Sequence, residues 1–283
     1  MSALRAACVA ALLSVAVAPQ AQPAQQAGAA TAWVELHASR ARLVAGLGLT
    51  PGGHYLAGLE IVMADGWKTY WRMPGDAGVP PTFDWTGSAN IGATRVLYPA
   101  PMRMAEAGGE TLGYKHAVLL PIEVTPQDPG KPVVMKLVLE LGICREICIP
   151  ATAAFDLTIA PGRTGAPLPE IVAALDRVPR AQAKRRKGDP ELKRVAVAQG
   201  DGANSRLAIE VAFGGDAKAA DVFVEAPEGL YVPLPKKTGP AAGGLIRFET
   251  ELSPSLVQDL KGKTLTLTLV GEAGATEAQW TFP

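Results

Sequence analysis

Histidine and cysteine are scarce, with three of each in 283 residues. The histidines, His37, His54 and His116, show no zinc-ligand spacing. Net charge is missing too: 27 Lys and Arg balance 27 Asp and Glu. Without a cationic surplus to neutralise phosphates, nucleic acid is not an expected partner. The charges are mixed in sign along most of the chain, as on an ordinary solvated surface. No segment reaches 18 consecutive apolar residues, so the mature chain is expected to be soluble. No glycine-rich loop leads into a helix, which removes nucleotide binding.

Hydrophobic residues are plentiful, at 48% against 19% charged, enough for packed cores. Residues 1–21 read as a secretory signal peptide, with Arg5 as the positive start, Ala6–Ala18 as a short apolar stretch and small residues ending at Ala21. Cys8 precedes most of that stretch and is expected to leave with it rather than carry lipid. The mature protein is then expected in an exported compartment that permits disulfides. Residues 22–31 are a low-complexity lead-in expected to be disordered.

From Ala32 short alternating runs begin. Strands are expected at 33–37, 41–45, 55–63, 93–98, 117–124, 133–141 and 153–159, separated by turns such as Asp65-Gly66 and Asp128-Pro129-Gly130. Seven or eight strands predict a β-sandwich over 32–160. The Pro- and Gly-rich stretch after it opens a linker, 161–190. Ile171, Ala174, Leu175 and Val178 recur there at helical spacing, and Pro179 ends or kinks the helix. Lys184-Arg185-Arg186-Lys187 reads as a solvated basic run. Residues 191–283 alternate again, most strictly in Thr264–Leu269, where Leu is expected to face a core and Thr water. The fold class is therefore all-β: two immunoglobulin-like β-sandwich domains joined by a short helical linker. The second contains no Cys or His, and a scaffold or interaction role is its default.

The mature chain keeps two cysteines, Cys144 and Cys148, just after the strand at 133–141 and shortly before Pro150. That placement is a strand end or hairpin tip, accessible to another protein. A structural staple and a redox centre both fit. As a staple, a loop of about five residues constrains the unfolded chain by on the order of 2 kcal/mol, against about 3 for fifteen. As a redox centre the pair needs a thiolate and an approach route. Arg145 favours the thiolate and Glu146 opposes it. The spacing is not the C-x-x-C of thioredoxin-like proteins. A rival is a soft-metal site in which Met102, Met104 and His116 join the two thiolates, although methionines at alternating positions are more often packing. A Cys/His hydrolase has no supporting nucleophile motif.

The segment Gly66-Trp67-Lys68-Thr69-Tyr70-Trp71-Arg72-Met73-Pro74-Gly75-Asp76-Ala77-Gly78-Val79-Pro80-Pro81 is dense in aromatics and turn formers, and reads as a strand entering a long ordered loop. With Phe83-Asp84-Trp85, Tyr98-Pro99-Ala100-Pro101, Gly113-Tyr114 and the stretch from Cys144 to Pro150, it resembles the N-terminal periplasmic domain of the DsbD thiol:disulfide interchange family, nearest to its copper-tolerance branch, ScsB. The resemblance covers about residues 32–160. It implies an immunoglobulin-like fold whose cysteine pair relays electrons from a membrane-embedded donor to periplasmic thioredoxin-fold proteins, without a cofactor. Carried over, Cys148 attacks partners and Cys144 resolves, as in a protein-disulfide reductase. The family's cap loop maps to about Met104–Tyr114. Its aromatic residue is replaced by Ala107-Gly108-Gly109, which leaves Met104, Ala107, Leu112 and Tyr114 as the cap set. The family's transmembrane and thioredoxin-like parts are absent, so the electron donor is expected to be a separate protein. The alternative function is a copper-binding or structural interaction module.

Overall fold

The computed structural model describes residues 30–106, 108–162, 168–227 and 229–283. The leader at 1–21, most of the lead-in and the cap candidate Ala107 lie outside the described residues. Pairing begins inside the stretch read as disordered: Ala30 bridges Val44, and the Thr31 N–H donates to Leu43 O at 2.9 Å.

The first part of the chain makes β1 (Val34–Leu36), β2 (Ser39–Leu49), β3 (Tyr55–Met63), β4 (Lys68–Gly75), β5 (Thr82–Asp84), β6 (Ile91–Val96), β7 (Met102–Glu106), β8 (Gly109–Lys115), β9 (Ala117–Pro126), β10 (Val133–Cys144) and β11 (Cys148–Ile159). They form two sheets, one in the order β1-β2-β3-β9-β6, the other β11-β10-β4-β8-β7 with β5 added to β10. Alternation turns one side of each strand inward. Leu43, Leu59 and Ile122 from one sheet meet Trp71, Leu139 and Ile143 from the other, all fully buried. Each such side chain contributes about 1.5–3 kcal/mol by leaving water. The sequence expectation of seven or eight strands undercounts. β7 and β8 escape it because Gly108, Gly109 and Gly113 interrupt any apolar alternation between Met102 and Lys115.

Helix α1 (Pro169–Asp176) follows, with Pro169 at its first turn and Ile171 and Ala174 buried, on the face expected from spacing. Ile171 packs on Val44 and Leu56, so the helix docks on the outer side of the first sheet. The chain then pairs β12 (Arg180–Ala181) in parallel with a strand of the second part. Arg185 and Arg186 of the basic run form ion pairs with Glu191 and Asp176 at 3.0 and 3.1 Å.

The remaining elements are β13 (Glu191–Gln199), β14 (Ser205–Ala212), β15 (Asp221–Glu225), β16 (Lys236–Ala241), β17 (Leu245–Leu252), α2 (Pro254–Leu260), β18 (Thr264–Gly271) and β19 (Gly274–Thr281). Two four-stranded sheets, β12-β19-β18-β15 and β13-β14-β17-β16, enclose a second core around Leu207, Ile209, Phe248, Leu265 and Leu267. Helix α2 was not anticipated, although Ser253-Pro254 is a start signal: the Ser253 hydroxyl accepts from Leu256 N–H at 3.3 Å.

The expectation that every threonine of β18 faces water fails at Thr268, which is fully buried. Thr268 stands opposite Phe223 of β15, and Phe223 belongs to the first core, 5.9 Å from the Trp71 ring. The threonine side of this sheet is covered by the first sandwich. The junction is also ionic. Arg72 of β4 bonds Glu225 at 2.7 and 2.8 Å and also Glu277. Arg103 of β7 bonds Asp221 at 2.7 and 2.9 Å and Glu110 at 2.8 Å.

Candidate active site

β10 and β11 pair in register from Val133 opposite Ile159 to Cys144 opposite Cys148. Directly opposed residues of an antiparallel pair point to the same side, and here the two sulfurs are joined in a disulfide. Arg145, Glu146 and Ile147 form the exposed hairpin tip, closed by Arg145 N–H donating to Ile147 O at 3.1 Å. Odd-numbered residues of β10 enter the core, so Cys144 and Cys148 lie on the outer side of the sheet. Lys136, Val138 and Glu140 are exposed on that side, but Gly142 and Cys144 are not. The two cysteines differ sharply: Cys144 is 1% exposed, whereas Cys148 is exposed.

The cover over Cys144 comes from β4. Lys68 stands opposite Cys144, and the Thr69 hydroxyl donates to Gly142 O at 3.0 Å, fastening the strands. Two residues along, Tyr70 is 2% exposed and its hydroxyl lies 3.0 Å from Cys148 Sγ. A disulfide sulfur carries no proton, so the phenol donates. Burial, and next the Glu106 carboxylate, raise the Tyr70 pKa above its ordinary value, so the phenol keeps that proton at neutral pH. Lys68, 8% exposed, is the buried cation on this side. Its ammonium is 2.6 Å from Glu106 Oε1 and donates to Arg145 O at 3.4 Å. The Thr111 hydroxyl donates to the same Glu106 carboxylate.

After β4 the chain crosses the ring of Tyr70 before returning to β10 as β5. A Cβ on Gly78 would stand 2.8 Å from Tyr70 Cδ1 and from Pro74 Cβ, so only glycine passes there. Beyond the crossing, Val79 and Pro80 face Gly142, Cys148 and Pro150 across an apolar groove of about 270 Å³.

The segment around this site has known counterparts. Residues 41–160 match the family model described as "Thiol:disulfide interchange protein DsbD, N-terminal". The whole fold is similar to the crystal structure of the N-terminal periplasmic domain of ScsB from Proteus mirabilis, with a TM-score of 0.68 and 22% identity over 90% of this chain and 98% of that one. No curated protein matches. The resemblance to the DsbD family read from the sequence is thus present in both comparisons, and the all-β, immunoglobulin-like class is observed. Among the described residues no helix is long and apolar enough to cross a membrane.

In this sandwich the residues expected as a cap divide between two faces. β8 alternates, so Gly113, opposite Tyr70, shares the disulfide's face while Leu112 and Tyr114 point into the core. Leu112 is fully buried there, and the Tyr114 hydroxyl donates to Pro99 O at 2.7 Å. They line the core, and strand periodicity keeps them from shielding the disulfide. Met104 and Glu106 of β7 do share the disulfide's face.

The metal donors are not gathered around one point. Three strand spacings, about 14 Å, separate β7, with Met102 and Met104, from β10. Met102 is 46% exposed. The exposed His116 imidazole lies 3.6 Å from Asp65. Among the described residues no group of three or more His, Cys, Asp or Glu is placed to hold an ion.

Arg145 lies against Gly66 of the β3–β4 turn. Lys68 and Tyr70, not singled out in the sequence, hold the places next to the pair. The signal that could have found them is period two in Lys68-Thr69-Tyr70-Trp71, which sends Thr69 and Trp71 one way and Lys68 and Tyr70 the other.

Proposed function

We propose that the chain exchanges disulfides with other proteins through Cys144 and Cys148, passing electrons from a membrane-embedded donor to thioredoxin-fold partners in the periplasm. The observation that carries this reading is the asymmetry of the pair: an open Cys148 sulfur beside a groove, and a Cys144 sulfur sealed behind it. A partner reaches only Cys148. In the reduced protein the Cys148 thiolate attacks one sulfur of the partner's disulfide. The partner's S–S bond breaks and a mixed disulfide forms, with one partner sulfur leaving as thiolate. Cys144, as thiolate, then attacks Cys148 Sγ, and the second partner sulfur leaves. Two electrons pass to the partner, the Cys144–Cys148 bond re-forms, and the donor restores the dithiol by the same steps reversed.

The surroundings support these roles. The Tyr70 phenol is placed to donate to the Cys148 thiolate, and Lys68 adds a cation on the same face, partly offset by Glu106. The staple reading has less support, because the bond joins residues that twelve in-register pairs of one hairpin already hold adjacent.

The test is a trap. Cys144→Ala leaves Cys148 without its resolving partner, so a mixed disulfide with a thioredoxin-fold protein should accumulate and be released by reductant. Cys148→Ala should trap none. If Cys144→Ala forms no adduct with periplasmic thioredoxin-fold proteins, the relay is wrong.

A further inference from the structure

The second sandwich has neither cysteine nor histidine, yet its contacts converge on the sheet that carries the disulfide. Asp221, Glu225 and Glu277 grip Arg103 of β7 and Arg72 of β4. A third contact reaches closer. The Tyr231 hydroxyl donates to Asp76 Oδ1, and Asp76 is the first residue beyond β4. Its other carboxylate oxygen accepts from Glu110 N–H at 2.7 Å, and its own N–H donates to Glu110 O at 2.9 Å. The site is shaped for this carboxylate: Gly109 has φ +131°, and a Cβ there would come 2.7 Å from Asp76 Oδ2.

Asp76 therefore anchors the start of the 76–81 segment, and β5 anchors its end on β10. Between the anchors the segment lies on the Tyr70 ring at Gly78 and supplies Val79 and Pro80 to the groove at Cys148. The geometry points to Tyr231 and Asp76 as positioning residues, through which the second sandwich holds the 76–81 segment down on Tyr70 and so sets how far Cys148 is covered. This rests on the redox reading above. It gives the second sandwich a part in the exchange without placing a reactive group there.

The experiment is reduction of the oxidised full-length chain by dithiothreitol, followed as a second-order rate, beside urea unfolding of the same samples. Tyr231→Phe removes one hydrogen bond and should speed reduction about fivefold, equivalent to about 1 kcal/mol, with little change in the urea midpoint. Asp76→Ala should do the same, and the double variant should be no faster than Asp76→Ala alone. Gly78→Ala, which pushes the segment off Tyr70 without touching the second sandwich, should also be faster. If Tyr231→Phe and Asp76→Ala react at the wild-type rate, the positioning role is overturned, whatever Gly78→Ala does. A rate rise that merely tracks lost global stability overturns it equally. A wild-type disulfide that dithiothreitol cannot reduce in the folded chain would instead overturn the redox reading itself, and this proposal with it.

Discussion

A phenol that keeps its proton is a different neighbour for sulfur from one free to ionise. Burial holds the Tyr70 proton in place, and the Glu106 carboxylate adds to that effect. The hydroxyl against Cys148 Sγ is then a donor over the whole range in which a thiol near pKa 8.5 would titrate. A hydrogen bond to a charged group is worth about 1.5–3 kcal/mol, and one pKa unit corresponds to about 1.4. Tyr70→Phe should therefore raise the midpoint of Cys148 alkylation by iodoacetamide, in the reduced protein, by about one unit. Unchanged alkylation would mean that the phenol only fills space. This residue was within reach of the sequence, because the alternation from Lys68 to Trp71 assigns its face. Without the neighbouring strands there was no way to know that the face carried the cysteines.

At the level of elements, the strands with apolar alternation were readable, and β3 has the bounds expected from the pattern. The cysteine hairpin was readable too, since Val133–Leu141 alternates and Pro150 marks its return. The β7–β8 hairpin was not, because glycines interrupt its apolar alternation where close contact with a neighbour requires them. Gly113 shows this: a Cβ there would sit 2.1 Å from Thr69 O on the adjacent strand. Only glycine lets β8 approach β4 so closely. Gly113→Ala should destabilise the chain by about 1–3 kcal/mol, measured as a lower urea midpoint, and should loosen β4, the strand that covers Cys144. Leu112 and Tyr114 leave the expected cap for a related reason: a strand distributes a run of residues to two faces, and these two enter the core.

On the scale of the whole molecule, the two sandwiches share a junction of buried aromatics and bidentate ion pairs. Arg103 and Asp221 keep 18% and 23% of their side-chain surface, so solvent still screens them. Arg103→Met should cost about 1–3 kcal/mol, below the range for fully buried pairs, and limited proteolysis should then cut the linker faster. The junction also sets an alkaline limit. Tyr98, 8% exposed, has its pKa pushed up to about 12 by burial, with Arg72 pulling the other way. Between the ordinary tyrosine value near 10 and about 12, the folded state keeps a proton that the unfolded chain has lost. Tyr98's contribution to stability should be full below about pH 10 and fall by roughly 2–3 kcal/mol as pH rises to about 12, beside further losses from Tyr70, Tyr114 and Tyr231, whose pKa values burial also raises. Urea unfolding at about pH 9 and about pH 12 checks this, and Tyr98→Phe should make the decline shallower by about its own share. A last consequence follows from the register of the cysteine hairpin. Twelve cross-strand pairs already hold Cys144 opposite Cys148, so opening the bond removes one link from a ladder that stands without it. On the proposed exchange, the oxidised and reduced chains should then present the same outline, and a protein meeting Cys148 would tell one from the other only by reacting with it.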